Sequence, residues 1–195
     1  MKKIKKIIAI FMIIMLITVV GKYTKAAENS QTIEDGTYVI KSALNNNFVL
    51  DVSGASKSEF ANIQIYQNAN VDQQKFKVKY LGSGYYSLTA VHSNKVLDVA
   101  NAAKTNGTNV WQHSSNNTDA QKWIIKDAGN GYYYVISKCN NLYLDIYLGT
   151  AKNETNVQVY EGNGTNAQKF KFEKVNSNTS VTGTKTVEDG TYQIK

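Results

Sequence analysis

The sequence predicts an all-β fold built from three copies of one unit of about 47 residues. A pattern of leucine, aspartate and a β-branched residue recurs at this spacing, as VLDV at 49–52, VLDV at 96–99 and YLDI at 143–146. A second pattern follows each copy in the same register, as QKF at 74–76, QKW at 121–123 and QKF at 168–170. Asparagine followed by isoleucine or valine keeps the spacing too, at 62–63, 109–110 and 156–157. Because three patterns stay in step without a gap, one unit has been triplicated.

Each repeat has the pattern of four short strands separated by turns. The first strand is predicted where glycine leads into aromatic and β-branched residues, as in GYYSL at 84–88. The leucine–aspartate segment is the second, NVW at 109–111 the third and QKWII at 121–125 the fourth. After residue 26 no stretch shows the 3.6-residue apolar period of a helix. Three repeats are too few for a propeller, which needs about four to eight blades, so a three-fold barrel of twelve strands is favoured.

The net charge of the chain is concentrated at its N-terminus. The chain has 195 residues and a formal net charge of +7. Six of its 22 basic residues, all of which are lysine, fall within the first 25 positions, so the remainder is close to neutral. Without arginine there is no bidentate fork for phosphate or guanine. Nucleic acid is therefore not an expected partner.

The first 26 residues have the pattern of a secretory signal peptide. Lysines at positions 2, 3, 5 and 6 precede 14 apolar or nearly apolar residues at 7–20, a run too short to span a bilayer comfortably. Thr24 and Ala26 provide small residues at positions −3 and −1, which predicts cleavage after Ala26. We therefore expect a secreted, extracellular protein with no membrane span after processing, and an uncleaved anchor as the alternative.

The C-terminal segment has the pattern of a second domain's beginning. Residues 188–195 match residues 34–41 at seven of eight positions, after a polar stretch at 176–186. The predicted organisation is a signal peptide at 1–26, a three-repeat domain at 33–175, a linker at 176–186 and an incomplete repeat at 187–195. The chain is then either a fragment or a truncated tandem protein, and further domains of the same protein are expected partners. Abundant asparagine, isoleucine and lysine without proline or arginine favour a bacterial source.

The three repeats, with their leucine–aspartate strands and closing Gln-x-Trp or Gln-x-Phe, resemble the ricin B-type lectins. The resemblance covers about residues 35–175. It implies a β-trefoil of three lobes, each with a potential shallow sugar site, and galactose-type sugars or polysaccharides as ligands. It also implies that the aspartate of each lobe accepts hydrogen bonds from two sugar hydroxyls while an aromatic ring stacks on the sugar.

Residue by residue, the resemblance assigns a different set to each lobe. The candidates in the first lobe are Asp51, Gln64, Tyr66, Gln73 and Gln74. The candidates in the third lobe are Asp145, Gln158, Tyr160 and Gln168. The second lobe keeps Asp98, His113 and Gln121, but Trp111 stands at its amide position. Binding lobes of the family usually have asparagine before the Gln of Gln-x-Trp, whereas this chain has Gln73, Ala120 and Ala167 there. The first lobe is therefore the best candidate and the second the poorest.

Structural roles remain open for the same residues. The aspartates could bond local backbone amides, and the glutamines of Gln-x-Trp are expected to pair buried backbone groups. The single Cys139 cannot form an internal disulfide and is expected to be buried or half-buried.

No catalytic, metal or cofactor site is expected. The chain has two histidines, His92 and His113, without metal-ligand spacing. Each lobe provides one repeated carboxylate, whereas glycoside hydrolysis needs a close pair. The sequence thus predicts a secreted, non-catalytic carbohydrate-binding module. The alternatives are a protein-interaction or spacer domain with decayed sugar sites, and the targeting end of a larger secreted hydrolase or toxin.

Overall fold

The computed structural model of the protein describes residues 30–175. The predicted signal peptide, the linker and the final incomplete repeat lie outside the described residues. Within that range the chain forms twelve strands and six short 3₁₀ turns, which confirms the all-β prediction. The strands are β1 (Gly36–Ser42), β2 (Phe48–Val52), β3 (Ile63–Gln67), β4 (Lys75–Gly82), β5 (Tyr85–Ala90), β6 (Val96–Val99), β7 (Thr108–His113), β8 (Trp123–Gly129), β9 (Tyr132–Ser137), β10 (Tyr143–Ile146), β11 (Thr155–Tyr160) and β12 (Phe170–Lys174).

Six of the strands close into a barrel. The ring runs β1, β4, β5, β8, β9 and β12, and β12 pairs with β1 again, all antiparallel. The other six strands form three hairpins, β2–β3, β6–β7 and β10–β11. Strand β11 also pairs with β3 and with β7, so the three hairpins meet at one end of the barrel. This is the β-trefoil architecture, with lobe 1 formed by β1–β4, lobe 2 by β5–β8 and lobe 3 by β9–β12.

Alternating burial and tight turns produce the barrel strands. In β5, Tyr86, Leu88 and Ala90 point into the core, while the residues between them are half-buried. The loop joining β4 to β5 consists of Ser83 and Gly84, whose φ angles are +53° and +81°. Two positive φ angles in a two-residue loop match the right-handed twist of the strands, and glycine adopts one at little cost.

The core contains an aromatic residue at the same repeat position in every lobe. The side chains of Phe76, Trp123 and Phe170 are fully buried. Trp123 also donates its indole N–H to the carbonyl of Leu97 at 3.2 Å, so its one polar atom is satisfied. The sequence prediction that a strand begins at Gln121 was wrong by two residues. Gln121 ends a 3₁₀ turn, because its side chain bonds the loop before it, and the strand begins at Trp123.

Three asparagine side chains form a closed ring where the hairpins meet. Asn109 donates from Nδ2 to Oδ1 of Asn62 at 2.9 Å, and Asn62 donates to Asn156 at 2.9 Å. Asn156 donates back to Asn109 at 3.0 Å, which completes the ring. Each amide thus gives one hydrogen bond and receives one, so the ring ties the three lobes together.

Opening this ring should lower stability. Asn109→Ala removes two of its three hydrogen bonds and leaves Asn62 Oδ1 and Asn156 Nδ2 without their partners. We expect the free energy of unfolding to fall by about 1–2 kcal/mol, measured by urea denaturation. The matched control replaces all three asparagines by alanine, which should cost less than three times the single change because no orphaned partner remains. An Asn109→Ala variant as stable as the parent would show that the ring contributes nothing.

Candidate functional site

The repeated aspartates are buried, one in each of the three lobes. Asp51, Asp98 and Asp145 are only 4%, 6% and 5% exposed, deeper than the shallow sites implied by the resemblance. Each stands on the first strand of a hairpin, directly opposite a residue of the second strand: Gln64, Trp111 and Gln158, respectively. Paired residues of antiparallel strands share a face. Each carboxylate therefore has one side chain of the opposing strand directly beside it.

In lobe 1 the structure brings the predicted residues together. Gln64 donates from Nε2 to Oδ1 of Asp51 at 3.0 Å. A cavity of about 470 Å³ lies over this pair. Its lining includes all five predicted residues, namely Asp51, Gln64, Tyr66, Gln73 and Gln74. A carboxylate, amides and a half-buried ring thus converge on one opening.

Lobe 3 repeats this arrangement with fewer amides. Gln158 donates from Nε2 to Oδ1 of Asp145 at 3.0 Å. A cavity of about 440 Å³ is lined by both residues and by Tyr160. Ala167 lines it at the position of Gln73 in lobe 1, so no amide is available there.

Lobe 2 has different chemistry. Its aspartate receives a hydrogen bond on each oxygen, from the indole N–H of Trp111 to Oδ1 and from Gln121 to Oδ2, both at 2.9 Å. The ring of Phe60 packs on Trp111 with a centroid separation of 4.8 Å and on His113 at 5.1 Å. The three rings form a cluster beside Asp98. The amide that opposes the aspartate in lobes 1 and 3 is thus replaced in lobe 2 by an indole, which can donate a hydrogen bond to a ligand but cannot accept one.

The glutamines of Gln-x-Trp are engaged with the loop before them. Gln74 and Gln168 are 1% and 0% exposed. Gln74 donates to the carbonyl of Gln67 at 2.9 Å and accepts from the backbone N–H of Ala69 at 2.8 Å. Gln121 and Gln168 make equivalent bonds in their own lobes. These contacts position the loop and the aspartate, and direct contact of the three glutamines with a ligand stays a prediction.

Burial changes the acidity of two of the aspartates. Loss of hydration raises the pKa of Asp51, and the hydrogen bonds from Gln64 and Gln74 lower it by less. Burial likewise raises the pKa of Asp145, against opposing hydrogen bonds from Gln158 and Gln168. Both carboxyl groups therefore keep their proton to a higher pH than an ordinary aspartate.

Glycan affinity and protein stability should consequently change with pH in opposite directions. The ionised carboxylate accepts sugar hydroxyls, so affinity should be present above the raised pKa of Asp51 and Asp145 and lost as pH falls through it. The stability contribution of these groups is fully present below the unfolded pKa and lost as pH rises through the folded pKa. Titration with sugar and urea denaturation over about pH 3–7 would measure both. The Asp51→Asn/Asp145→Asn variant should lose this part of the pH dependence of stability, and affinity that rises on acidification would contradict the assignment.

A residue from the neighbouring lobe borders each site, which sequence reasoning missed. Phe60, Gly107 and Glu154 occupy one repeat position, all with positive φ. Glu154 of lobe 3 lines the lobe 1 cavity, and Gly107 of lobe 2 lines the lobe 3 cavity. Phe60 of lobe 1 packs on Trp111 of lobe 2. The repeat register reveals this set, but only the closed barrel shows which lobe each member reaches.

Two exposed apolar residues on the rim of lobe 3 were also missed. Tyr147 and Leu148 are 49% and 78% exposed and line the lobe 3 cavity. Leu148 has φ +53° and ψ +16°, a left-handed conformation that costs a side chain with a Cβ about 1–2 kcal/mol. The equivalent residues are Gly54 and Asn101, which adopt it more readily. Leucine at a turn position where the other repeats have glycine and asparagine was the sequence signal that could have identified this rim.

Residues 30–175 hold no group of three histidine, cysteine, aspartate or glutamate side chains placed to bind a metal ion. No helix in this range is long and apolar enough to cross a membrane. Cys139 is free and half-buried, and it packs against the core.

Comparison with known proteins establishes the family. The profile of the ricin-type beta-trefoil lectin domain-like family matches residues 25–110 and 72–160. The chain belongs to this family. The three-lobed barrel is thus a feature of the family, as the sequence predicted. No curated protein sequence matches the chain significantly.

Several solved structures superpose on most of the chain. The designed three-fold symmetric protein ThreeFoil is 35% identical, with a TM-score of 0.71, over 72% of this chain and 100% of ThreeFoil. The Rhizoctonia solani agglutinin is 28% identical, with a TM-score of 0.67, over 75% of this chain and 99% of the agglutinin. The exo-beta-1,3-galactanase 1,3Gal43A from Clostridium thermocellum is 26% identical, with a TM-score of 0.70, over 75% of this chain and 32% of the enzyme. The fold therefore occurs both alone and as part of a larger enzyme.

Proposed function

We propose that this protein is a secreted, non-catalytic carbohydrate-binding module that binds glycans through lobes 1 and 3. One observation carries the proposal. Two cavities, one in each of these lobes, place a buried aspartate, a glutamine amide and a tyrosine ring together. The signal segment before residue 27 supports secretion.

The geometry of lobe 1 fits a sugar in a defined way. Gln64 holds one oxygen of Asp51, and a carboxylate has lone pairs for further donors. Two neighbouring hydroxyls of the sugar donate to the remaining lone pairs of the Asp51 carboxylate, while the ring of Tyr66 covers the apolar face of the sugar. Gln73 adds an amide that lobe 3 lacks, so we expect lobe 1 to bind more tightly. A single open site of this kind binds a monosaccharide at on the order of millimolar, and two sites on one chain add avidity.

Galactose-type sugars are the proposed ligand class. The family resemblance implies them, and one of the similar structures is named as a galactanase. The matched region is 32% of that enzyme's chain. The proposed sugar-binding module therefore also fits the role of a targeting end in a larger secreted protein.

A protein-interaction or spacer domain is the second candidate function, and lobe 2 favours it. Trp111 stands there in place of the glutamine that opposes the aspartate in lobes 1 and 3, and buried Ala120 replaces the amide before the Gln of Gln-x-Trp, as Ala167 does in lobe 3. A fully decayed trefoil would show this chemistry in all three lobes. Lobes 1 and 3 keep a cavity over the aspartate, which is why binding of sugar is the leading proposal.

Glycan-array binding by the chain from residue 27 onward tests the proposal. We expect binding to glycans with terminal galactose-type residues, inhibited by the free sugar. The Asp51→Asn/Asp145→Asn variant is the matched control for background. Wild-type signals no higher than those of this variant would favour the interaction or spacer role. N-terminal sequencing of extracellular protein should begin at Ala27, and a full-length chain retained in the membrane would contradict secretion.

A further inference from the structure

The rim of lobe 3 carries two exposed apolar side chains, Tyr147 and Leu148, where the rim of lobe 1 has Ser53 and Gly54. We propose that Tyr147 and Leu148 form a subsite for an apolar group attached to the bound sugar, such as an acetamido methyl or an aryl aglycone. Lobe 3 then selects substituted sugars and lobe 1 does not. This inference rests on the proposed sugar binding and specifies the ligand class of one lobe.

The conformation of Leu148 is the first support. It holds φ +53° at a position where lobes 1 and 2 have Gly54 and Asn101. Its side chain is 78% exposed, so packing inside the protein does not stabilise this unfavourable conformation. A strained residue without a packing role indicates a function outside the folded chain.

The position of the pair is the second support. Tyr147 and Leu148 line the same cavity of about 440 Å³ as Asp145 and Tyr160. Leu44, from the β1–β2 loop of lobe 1, lines that cavity too and adds a further aliphatic side chain. An apolar surface therefore continues directly from the place where the sugar hydroxyls meet the carboxylate.

Lobe 1 provides the internal comparison. The residues equivalent to Tyr147 and Leu148 are Ser53 and Gly54, and both line the lobe 1 cavity. A hydroxyl and a hydrogen atom offer almost no apolar area. The lobe 1 cavity has one large exposed aliphatic side chain, Val71, where lobe 3 has Thr165. An apolar group on the sugar therefore loses more contact with water against Tyr147, Leu148 and Leu44 in lobe 3, and gains more affinity there than in lobe 1.

Lobe-resolved titration by NMR tests this difference. The backbone amides of Ala69 and Asn163 are equivalent reporters, because each lines its cavity and bonds the glutamine of its own lobe. The probes are galactose, N-acetylgalactosamine, methyl β-galactoside and 4-nitrophenyl β-galactoside, added to the chain from residue 27 onward. We expect the substituted member of at least one pair to bind lobe 3 about fivefold more tightly than its partner, and lobe 1 by less than about twofold.

Leu148→Gly, which introduces the lobe 1 residue, is the decisive variant. It should remove the fivefold preference in lobe 3, leave the affinity for galactose unchanged and preserve or raise the melting temperature, because the left-handed conformation suits glycine. Leu148→Asn, which introduces the lobe 2 residue, should act in the same way.

Two results would overturn the inference: equal preferences for the substituted sugar in the two lobes, or a preference in lobe 3 that survives both variants. In either case, galactose binding would leave the proposed function standing. Shifts in neither lobe with any probe would instead overturn the proposed function. A change of oligomeric state in Leu148→Gly with unaltered sugar affinities would assign the rim to protein contact and also overturn the inference.

Discussion

Replacing Asp51 and Asp145 together by asparagine is expected to abolish glycan binding while the fold stays intact. Asparagine keeps the shape and one acceptor oxygen but removes the charge that strengthens the bonds from sugar hydroxyls. Each single change should weaken its own lobe by about tenfold or more. The fold should persist because burial already disfavours the charged form of both residues. Calorimetric or NMR titration, with thermal unfolding alongside, measures both effects.

Asp98→Asn is the matched control for this experiment. In lobe 2, Trp111 stands where lobes 1 and 3 have a glutamine opposite the aspartate, so replacement of Asp98 should change glycan affinity least. Tyr66→Ala should rank second, after Asp51→Asn, and Asp145→Asn third. If Asp51→Asn unfolds the protein without any prior loss of affinity, the aspartates are structural and the spacer role is favoured.

Trp123→Ala is expected to produce the largest loss of stability. The side chain is fully buried at the position that lobes 1 and 3 fill with Phe76 and Phe170. Its removal leaves a large cavity and an unpaired carbonyl at Leu97. We expect the free energy of unfolding to fall by about 3–5 kcal/mol, measured by urea denaturation of the chain from residue 27 onward.

The chain itself offers the control for this change. Trp123→Phe introduces the residue that the other two lobes use, so it should cost about 1–2 kcal/mol. An alanine variant that unfolds at the same urea concentration as the phenylalanine variant would show that lobe 2 does not depend on the volume of this side chain.

The sequence alone determined the fold, because the repeated unit that forms one lobe occurs in it three times. The 47-residue register of Leu50, Leu97 and Leu144 identifies the repeated unit, and their complete burial confirms that register. Strand and turn preferences within one repeat then apply to all three. The candidate residues of lobe 1 could be predicted in the same way, since they are close in sequence to the strands that carry them.

Other features depend on closure of the barrel, and only the tertiary structure decided them. Glu154 reaches the lobe 1 cavity across about a hundred residues of chain, and the asparagine ring joins side chains from three separate hairpins. Repeat spacing reveals equivalent positions but not which neighbour each contacts. That choice is made when the last strand pairs with the first, because closure fixes the order of the lobes around the axis.

The character of each lobe was likewise decided by packing. The sequence shows Trp111 at the amide position of lobe 2, but not that its N–H would bond Asp98 or that Phe60 would pack on its ring. It shows leucine at 148, but not that this side chain would stay exposed on the rim of a cavity. A side chain's identity is local information, whereas its hydrogen-bond partner and its exposure depend on residues distant in sequence that the folded barrel brings beside it.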